Sequence, residues 1–378
     1  MTIYGTRPEA IKVAPVIRAI RESSDFEGIE VVTGQHAEML EQVNKLFKIQ
    51  PDVNLNIMSQ NQTLNEIISK VIQGADEVLN KCRPDAIIVQ GDTSTVLAAS
   101  LTAFNRKVPV MHLEAGLRSG DLMSPFPEEA NRRLVSQIAS LHLAPTRSAK
   151  ANLLAEGVAE CDITITGNTV IDAMNEALTV HGTLEDEALR KFMESSANPV
   201  LLTTHRRENL GPNMKNIGSA IRTLAVTHSD YGFVIPMHKN PKVREVLLPI
   251  VAGLSNVMVT EPLNYGDFTR VVANSRLILT DSGGVQEEAP SLGKPVLVLR
   301  ENTERPEAVK AGTVKLIGTE TRRIIDEVEH LLENPNAYDS MANATNPYGD
   351  GQAARRTIAA LRNHFGLGER LPEFGEEA

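Results

Sequence analysis

Tryptophan is absent from this sequence of 378 residues, and all aromatic residues together make up 4% of it. Single-stranded nucleic acid is held by aromatic platforms on which bases stack, so that role is not expected here. The formal net charge of −10 points the same way, because its field repels nucleic acid and anionic membranes. An anionic substrate would need a local basic site set against that field. The only cysteines, Cys82 and Cys161, have neither a metal-type nor a redox-type spacing. They read as free thiols in a reducing compartment. No apolar run is long enough to span a bilayer, and MTIYGTRPEA lacks the regions of a signal peptide. The expectation is a cytoplasmic protein with no membrane partner.

Several catalytic signatures are missing too. The nine histidines show no H-x-x-x-H spacing. His112-Leu113-Glu114 opens like a zinc-deaminase motif, but no P-C-x-x-C follows, so no catalytic metal is expected. There is no Walker A segment, no G-x-G-x-x-G and no G-x-S-x-G elbow. Readings as an ATPase, a dinucleotide oxidoreductase or a serine hydrolase lose their main support, and no cofactor is expected.

What is present is a soluble composition, 42% hydrophobic and 23% charged, in a chain long enough for two domains. Its dominant pattern is a short β-branched run, a polar or Gly-rich turn, then a helical stretch. The runs are Met1–Tyr4, Ile29–Thr33, Asp85–Val89, Val108–Leu113, Leu141–Ala144 and Ile163–Thr166 in the first half. The second half has Val200–Thr204, Gly232–Pro236, Asn256–Thr260, Arg276–Thr280 and Pro295–Leu299. Glu9–Ser23, Leu64–Lys81 and Thr93–Asn105 read as helices between them. Nearly continuous apolar strands alternating with helices predict an α/β fold of doubly wound parallel sheets. A domain break is placed near Gly167–Asp172, and the acidic tail Glu369–Ala378 is expected to fray. The first strand starts at Met1 with room for about four residues against a usual ~5–6, so it is short or a few residues precede it.

Ligands of open parallel sheets bind beyond the carboxyl ends of the strands. Those ends carry Gly5-Thr6-Arg7, Gly91-Asp92-Thr93, His112-Leu113-Glu114, His205-Arg206-Arg207, His238 and Asp281-Ser282-Gly283-Gly284. One polar strand end means little, since helix caps need Asp, Ser and Thr; six together predict a polar crevice between two domains. In LTDSGGVQEEAPSLGKPVLV, Ser282-Gly283-Gly284 sits where a strand gives way to a helix. Free N–H groups and the helix dipole there suit a phosphate, and glycine lets the backbone approach it. The simpler alternative is an ordinary helix capped by Asp281 or Ser282. Glu288 falls on the helix face of Gly284 and could accept hydrogen bonds from ribose hydroxyls, whereas Glu287 is expected in solvent. Arg7 and Lys12, in a turn that puts Pro8 in the first helical turn, are the cations such a site needs. Glu128 and Arg132 are i,i+4 neighbours and could be no more than a surface ion pair.

These observations lead to a two-domain α/β enzyme with a diphosphate-like ligand. The stretches YGTRPEAIK, VQGDTSTVLA, HLEAGLRSGD, SPFPEEANRRL, ITGNTVIDA, THRRENLG, LTDSGGVQEEAPSLGKPVLVLRENTERPEAV and NPYGDGQA go further. In order, and nearly end to end, they resemble the non-hydrolysing UDP-N-acetylglucosamine 2-epimerases. That resemblance implies two Rossmann-like domains facing a cleft, as in glycosyltransferases of the B type. It places residues 1–167 and 351–378 in the first domain, whose returning helix spans Gly351–Gly366, and residues 168–350 in a UDP-binding second domain. It also implies a cytoplasmic homodimer that interconverts UDP-GlcNAc and UDP-ManNAc for surface polysaccharides. Asp92, Glu114, Glu128 and His205 fall on the family's catalytic positions, with Arg132 beside them. Arg7, Lys12 and Arg305 match substrate contacts, Ser282, Gly283 and Gly284 the diphosphate loop, and Glu288 the ribose ligand. The backbone of Leu263 and the ring of Phe268 match the uracil pocket.

The chemistry explains the residue types. No carbonyl adjoins C2 to acidify its proton, so a base alone is too weak. Breaking the C1–O bond to UDP first gives C1 oxocarbenium character, which acidifies that proton. The family's route is elimination of UDP to a 2-acetamidoglucal, then re-addition with protonation on the other face. It calls for cations and N–H donors at the leaving group, carboxylates for proton transfer, and no redox cofactor. The competing readings are a hydrolysing epimerase that releases ManNAc and UDP, a UDP-sugar glycosyltransferase, and a non-catalytic nucleotide-sugar sensor.

Regulated family members hold a second UDP-GlcNAc in a pocket resembling Gln35, His36, His205 and Arg206 here. This sequence departs from them at Glu38, where they have an amide, and at Asn61, where they have arginine. Losing a bidentate cation and gaining a negative charge should weaken that site by ~1–3 kcal/mol in a desolvated pocket. Lys70 is the alternative source of a cation. UDP-ManNAc alone is therefore expected to convert back without added UDP-GlcNAc. Initial rates with and without a trace of UDP-GlcNAc check this, and a strict requirement for the trace would show a working second site.

Overall fold

The computed structural model describes residues 1–34, 37–59, 61–180, 182–196 and 198–376, with the backbone alone for residues 37–39. The chain divides into two compact units, residues 1–176 with 348–378, and residues 177–347. In the first unit the strands are β1 (Thr2–Tyr4), β2 (Glu30–Val32), β3 (Val53–Asn54), β4 (Ile87–Gln90), β5 (Val110–Leu113), β6 (Leu141–Ala144) and β7 (Ile163–Ile165). The second unit has β8 (Asn198–Thr203), β9 (Tyr231–Pro236), β10 (Val257–Thr260), β11 (Leu277–Thr280), β12 (Val296–Val298) and β13 (Val314–Leu316).

All pairings in both sheets are parallel, in the orders β3-β2-β1-β4-β5-β6-β7 and β10-β9-β8-β11-β12-β13. This is the doubly wound α/β architecture that the apolar runs predict, formed once in each unit. Strand order reverses between β1 and β4 and again between β8 and β11, so each unit has a switch point where loops diverge and leave a crevice. The two strands that the sequence did not betray, β3 and β13, are short edge strands with partly exposed residues, where no apolar run is required.

Each sheet is buried by helices whose sequences suit them. Val71, Val78, Val96, Ala98, Ala99 and Ala103 cover Ile3, Val31, Ile87 and Val89 in the first unit. The small residues of helix Ser94–Asn105 let it lie close to the sheet. In the second unit Ile217, Ile221, Leu224, Val243, Leu247, Ile324 and Val328 pack on Val200, Leu202, Phe233 and Leu279.

The first unit extends through Glu176, past the break expected near Gly167–Asp172. Helix Thr169–Val180 explains why. Its buried Asp172 accepts the N–H groups of Ala353 (3.2 Å) and Ala354 (2.9 Å), which open helix Ala353–His364. That helix packs against helix Arg7–Glu22. Within the tail expected to fray, residues 370–374 are instead tied to the first unit. Phe374 N–H donates to Ile165 O (2.8 Å), Ile165 N–H to Glu373 (3.1 Å), and Arg370 to Ile163 O (2.8 Å). Lys150 pairs with Glu373 at 3.1 Å. The tail thereby covers the open edge at β7, which would otherwise present unpaired backbone groups.

On β5 and β6, His112 and His142 lie opposite one another in register, both inaccessible. Burial pushes each imidazole down to about 4. The folded state thus favours the neutral rings, while unfolded histidines titrate near 6.5. This stabilisation is complete above about pH 6.5 and is lost as pH falls toward 4, at roughly 3 kcal/mol per ring. Urea midpoints at pH 7 and 4.5 should therefore differ strongly, and His142→Gln should remove about half of the difference. Equal slopes in the two proteins would show that the histidines do not govern acid sensitivity.

Candidate functional site

In the first unit the turn after β1 is tightly packed. A Cβ on Gly5 would lie 2.1 Å from Thr33 Oγ1, so only glycine fits. Thr6 and Glu9 form a capping box that starts helix Arg7–Glu22, placing Arg7 at its first position and Lys12 further along. Glu9 is 2% exposed and accepts the N–H groups of Gly5 (2.6 Å) and Thr6 (2.8 Å) and the hydroxyl of Thr93. It joins the loops after β1 and β4 across the switch point. Burial raises its pKa, against the pull of those donors.

Glu114 follows β5 with φ 61°, a left-handed conformation that costs a side-chain-bearing residue roughly 1–3 kcal/mol. Its carboxylate is gripped by Lys12 Nζ at 2.6 and 2.7 Å, by Gln90 Nε2, and by Asn168 Nδ2 at 3.2 Å. Asp92, just beyond β4, pairs with Arg132 through Nε (3.0 Å) and Nη2. Burial raises the pKa of Asp92; Arg132 opposes that shift and Glu114 reinforces it. Lys12, Glu114, Asp92 and Arg132 thus form two adjacent ion pairs at one end of the sheet.

Glu128 opens helix Glu128–Ser136 and is half-buried, and the alternative of a plain surface ion pair with Arg132 is not formed. Arg132 turns instead to Asp92 and to Glu129 (3.2 Å), because Glu129 is inaccessible and also anchors Arg133 and the N–H of Ser119.

In the second unit Asp281 has the organising role. It follows β11, is inaccessible, and accepts Thr204 Oγ1 (2.7 Å), the N–H groups of His205 and Arg206 (3.0 Å each), and Asn209 Nδ2 (3.0 Å). His205 Nδ1 lies 3.3 Å from it, and the His205 ring stacks on His238. Burial lowers the pKa of His205 while Asp281 works to raise it. The capping alternative at Ser282 fails. Asp281 faces the β8 loop, and Ser282 makes no side-chain cap bond, so the first N–H groups of helix Gly283–Glu288 stay uncapped.

Around that terminus the groups complement an anion. A Cβ on Gly283 would sit 3.6 Å from Arg206 Nη2 and 3.7 Å from Arg305 Cζ. Glu288 leans back, its Oε1 3.7 Å from the Cβ position of Gly284. Glu287, expected in solvent, is 3% exposed and bonded to Arg305, which explains how that cation is held beside the glycines. Leu263 precedes helix Tyr265–Asn274 and Phe268 lies in its first turn, both partly buried.

Gln35 and His36 lie outside the described residues, as does the side chain of Glu38. Asn61 is exposed, and Lys70 donates to Ile57 O and Ser59 Oγ. Among the described residues no group of three His, Cys, Asp or Glu could hold a metal, and no helix is long and apolar enough to cross a membrane. Sequence reasoning missed Glu9, Gln90, Asn168 and the hub role of Asp281. Only strand-end position could have signalled Gln90 and Asp281.

A doubly wound sheet with a glycine-opened helix at its switch point is an arrangement that nucleotide-binding α/β proteins use. The sequence model of the UDP-N-acetylglucosamine 2-epimerases matches residues 18–362. The UDP-N-acetylglucosamine 2-epimerase of Escherichia coli (strain K12) is 49% identical over 369 residues, 96% of this chain and 98% of that protein. A crystal structure of UDP-GlcNAc 2-epimerase from Neisseria meningitidis bound to UDP-GlcNAc is 48% identical with TM-score 0.84, covering 96% of this chain and 99% of that one. One of a putative UDP-N-acetylglucosamine 2-epimerase from Listeria monocytogenes reaches TM-score 0.91 at 45% identity, over 98% of each. The fold extends to a glycotransferase of kitacinnamycin, at TM-score 0.60 and 12% identity. The chain belongs to the UDP-N-acetylglucosamine 2-epimerase family.

Asp281→Asn would set an amide N–H against donors that now share one carboxylate. It should cost about 2–4 kcal/mol of the second unit's stability, read from urea unfolding. A loss under about 0.5 kcal/mol would remove Asp281 from its organising role.

Proposed function

We propose that this protein interconverts UDP-GlcNAc and UDP-ManNAc without net hydrolysis, by eliminating UDP to a bound 2-acetamidoglucal and adding it back. The observation that carries the reading is the pair of cation-held carboxylates, Glu114 on Lys12 and Asp92 on Arg132, in a member of this family. Departure of UDP leaves positive charge at C1 and an acidic proton at C2. Carboxylates meet both needs: they stabilise the cation, and one with a raised pKa, as burial gives Asp92, takes up a proton more readily than an exposed carboxylate. Glu128 and His205 complete the proton-handling set. Arg7 and Lys12 contact the substrate from the first unit.

The departing diphosphate is taken at Ser282, Gly283 and Gly284, where the helix-opening N–H groups of the glycines are uncapped and Ser282 N–H is held on Thr280 Oγ1 (3.0 Å), with Arg206 and Arg305 beside them. Glu288 takes the ribose hydroxyls, and Leu263 with Phe268 the uracil. Elimination and re-addition move a proton and UDP and pass no hydride, so this route needs no nicotinamide. The product supplies surface polysaccharide synthesis from the cytoplasm. The working form is a homodimer, for which Leu101, Phe104 and Leu134 offer an exposed apolar face on two helices that pack together, Ser94–Asn105 and Glu128–Ser136.

NMR of UDP-GlcNAc with the purified protein in deuterium oxide, excess EDTA and no nicotinamide tests the reading. UDP-ManNAc should form carrying deuterium at C2, with the nucleotide retained. Asp92→Asn and Glu128→Gln should each lower turnover by about two orders of magnitude or more while UDP still binds, and Glu288→Ala should chiefly weaken UDP. Stoichiometric ManNAc and UDP would identify a hydrolysing enzyme, and no turnover would leave a nucleotide-sugar sensor.

A further inference from the structure

Asp92 sits on a three-residue loop, and every residue of that loop is held from behind by a buried side chain. The Gly91 carbonyl accepts from His112 Nε2 at 2.7 Å. The Asp92 carbonyl accepts from Asn131 Nδ2 at 2.8 Å. The Thr93 hydroxyl donates to Glu9. His112, Asn131 and Glu9 are at most 4% exposed. Asn131 also ties the loop to the helix that carries Glu128 and Arg132.

Of the three, His112 has no other work. Glu9 caps a helix and Asn131 lies between two site residues in sequence, whereas His112 lies beneath the loop on β5, away from any ligand-facing surface. Its Nδ1 is buried and makes no hydrogen bond. A carbonyl can only accept, so the 2.7 Å contact requires the proton to be on Nε2. A second proton on Nδ1 would be a buried, unpartnered charge beside Arg118 and Arg132, with Glu114 opposing them and His142 in register on the neighbouring strand.

We propose that His112 is a positioning residue, a neutral imidazole locked as the Nε2–H tautomer that holds the Gly91 carbonyl and so sets Asp92 against Arg132 and the substrate. Gly91 has φ 78°, and its Cβ position lies 3.8 Å from Glu114 Oε2, so the same bond also fixes the spacing between the two carboxylates. The inference rests on the epimerase reading for its kinetic consequence, but not for the tautomer.

The test has two arms. In the first, 15N spectra of histidine-labelled wild-type protein at pH 7 should show His112 protonated at Nε2 and bare at Nδ1. A proton on Nδ1 overturns the proposal whatever the enzyme catalyses. In the second, His112→Leu removes the donor and His112→Gln keeps one at the reach of Nε2. The Leu variant should lose about 100-fold in kcat with KM changed by less than about threefold, since a small misplacement is costly in the transition state. The Gln variant should recover to within about tenfold of wild type, and UDP affinity should be unchanged in both. A folded Leu variant with wild-type kcat, or a Gln variant no better than Leu, overturns the proposal. Should the Leu variant fail to fold, the Gln variant and the 15N spectrum decide. Absence of epimerisation by the wild type would instead strike the functional reading and leave the tautomer result standing.

Discussion

A buried carboxyl group bridging two loops is the interaction on which each unit's site depends. Parallel sheets open a crevice at the point where strand order reverses, but an open crevice has no fixed walls. Glu9 binds the loop after β1 to the loop after β4, and Asp281 binds the loop after β8 to the residue that follows β11. In both cases an acid accepts backbone N–H groups that would otherwise be orphaned at a helix start or a turn. The two solutions use different residues at different positions, so the likeness follows from what the crevice demands of the chain.

Once the loops are fixed, cations and anions can be set out in short, partly buried pairs that a flexible loop would not hold. Glu114 in its left-handed conformation is held by a lysine and two amides. Arg305 is held by Glu287 beside the glycines of an uncapped helix. The local basic groups that a dianionic ligand requires are thus present in a protein whose total charge is strongly negative. Each is paired in advance, which limits the cost of keeping it dry.

Architecture was legible in the sequence because it follows from burial. Runs such as Ile87–Gln90 and Leu277–Thr280 are apolar on both faces, and only a covered parallel strand requires that. Edge strands β3 and β13 carry no such demand and left no trace. Candidate site positions stood out at strand ends and through the family resemblance, as at Asp92, Glu114 and Ser282-Gly283-Gly284. Partners were not. Nothing in one-dimensional spacing says that Gln90, Lys12 and Asn168 converge on Glu114, or that Glu287 turns inward to an arginine eighteen residues on. An acid at a strand end looks like a helix cap, and Asp281 acts on the opposite loop. The tail was misjudged for a similar reason: its acidic composition suggests solvation, while Glu373 and Phe374 are spent on a strand edge distant in sequence.

The placement of residues 348–378 in the first unit imposes an order on synthesis. Helix Ala353–His364 and the strand-edge cover are translated only after the whole of residues 177–347. At ordinary elongation rates this is a wait of roughly ten to thirty seconds. Through that interval helix Arg7–Glu22 lacks one of its several packing partners and β7 lacks its cover, while the second unit has all of its own residues in one unbroken stretch. The nascent chain therefore carries an incomplete amino-terminal unit ahead of a later one whose residues are contiguous. The first unit's sheet edge stays open to other chains until translation has passed beyond the second.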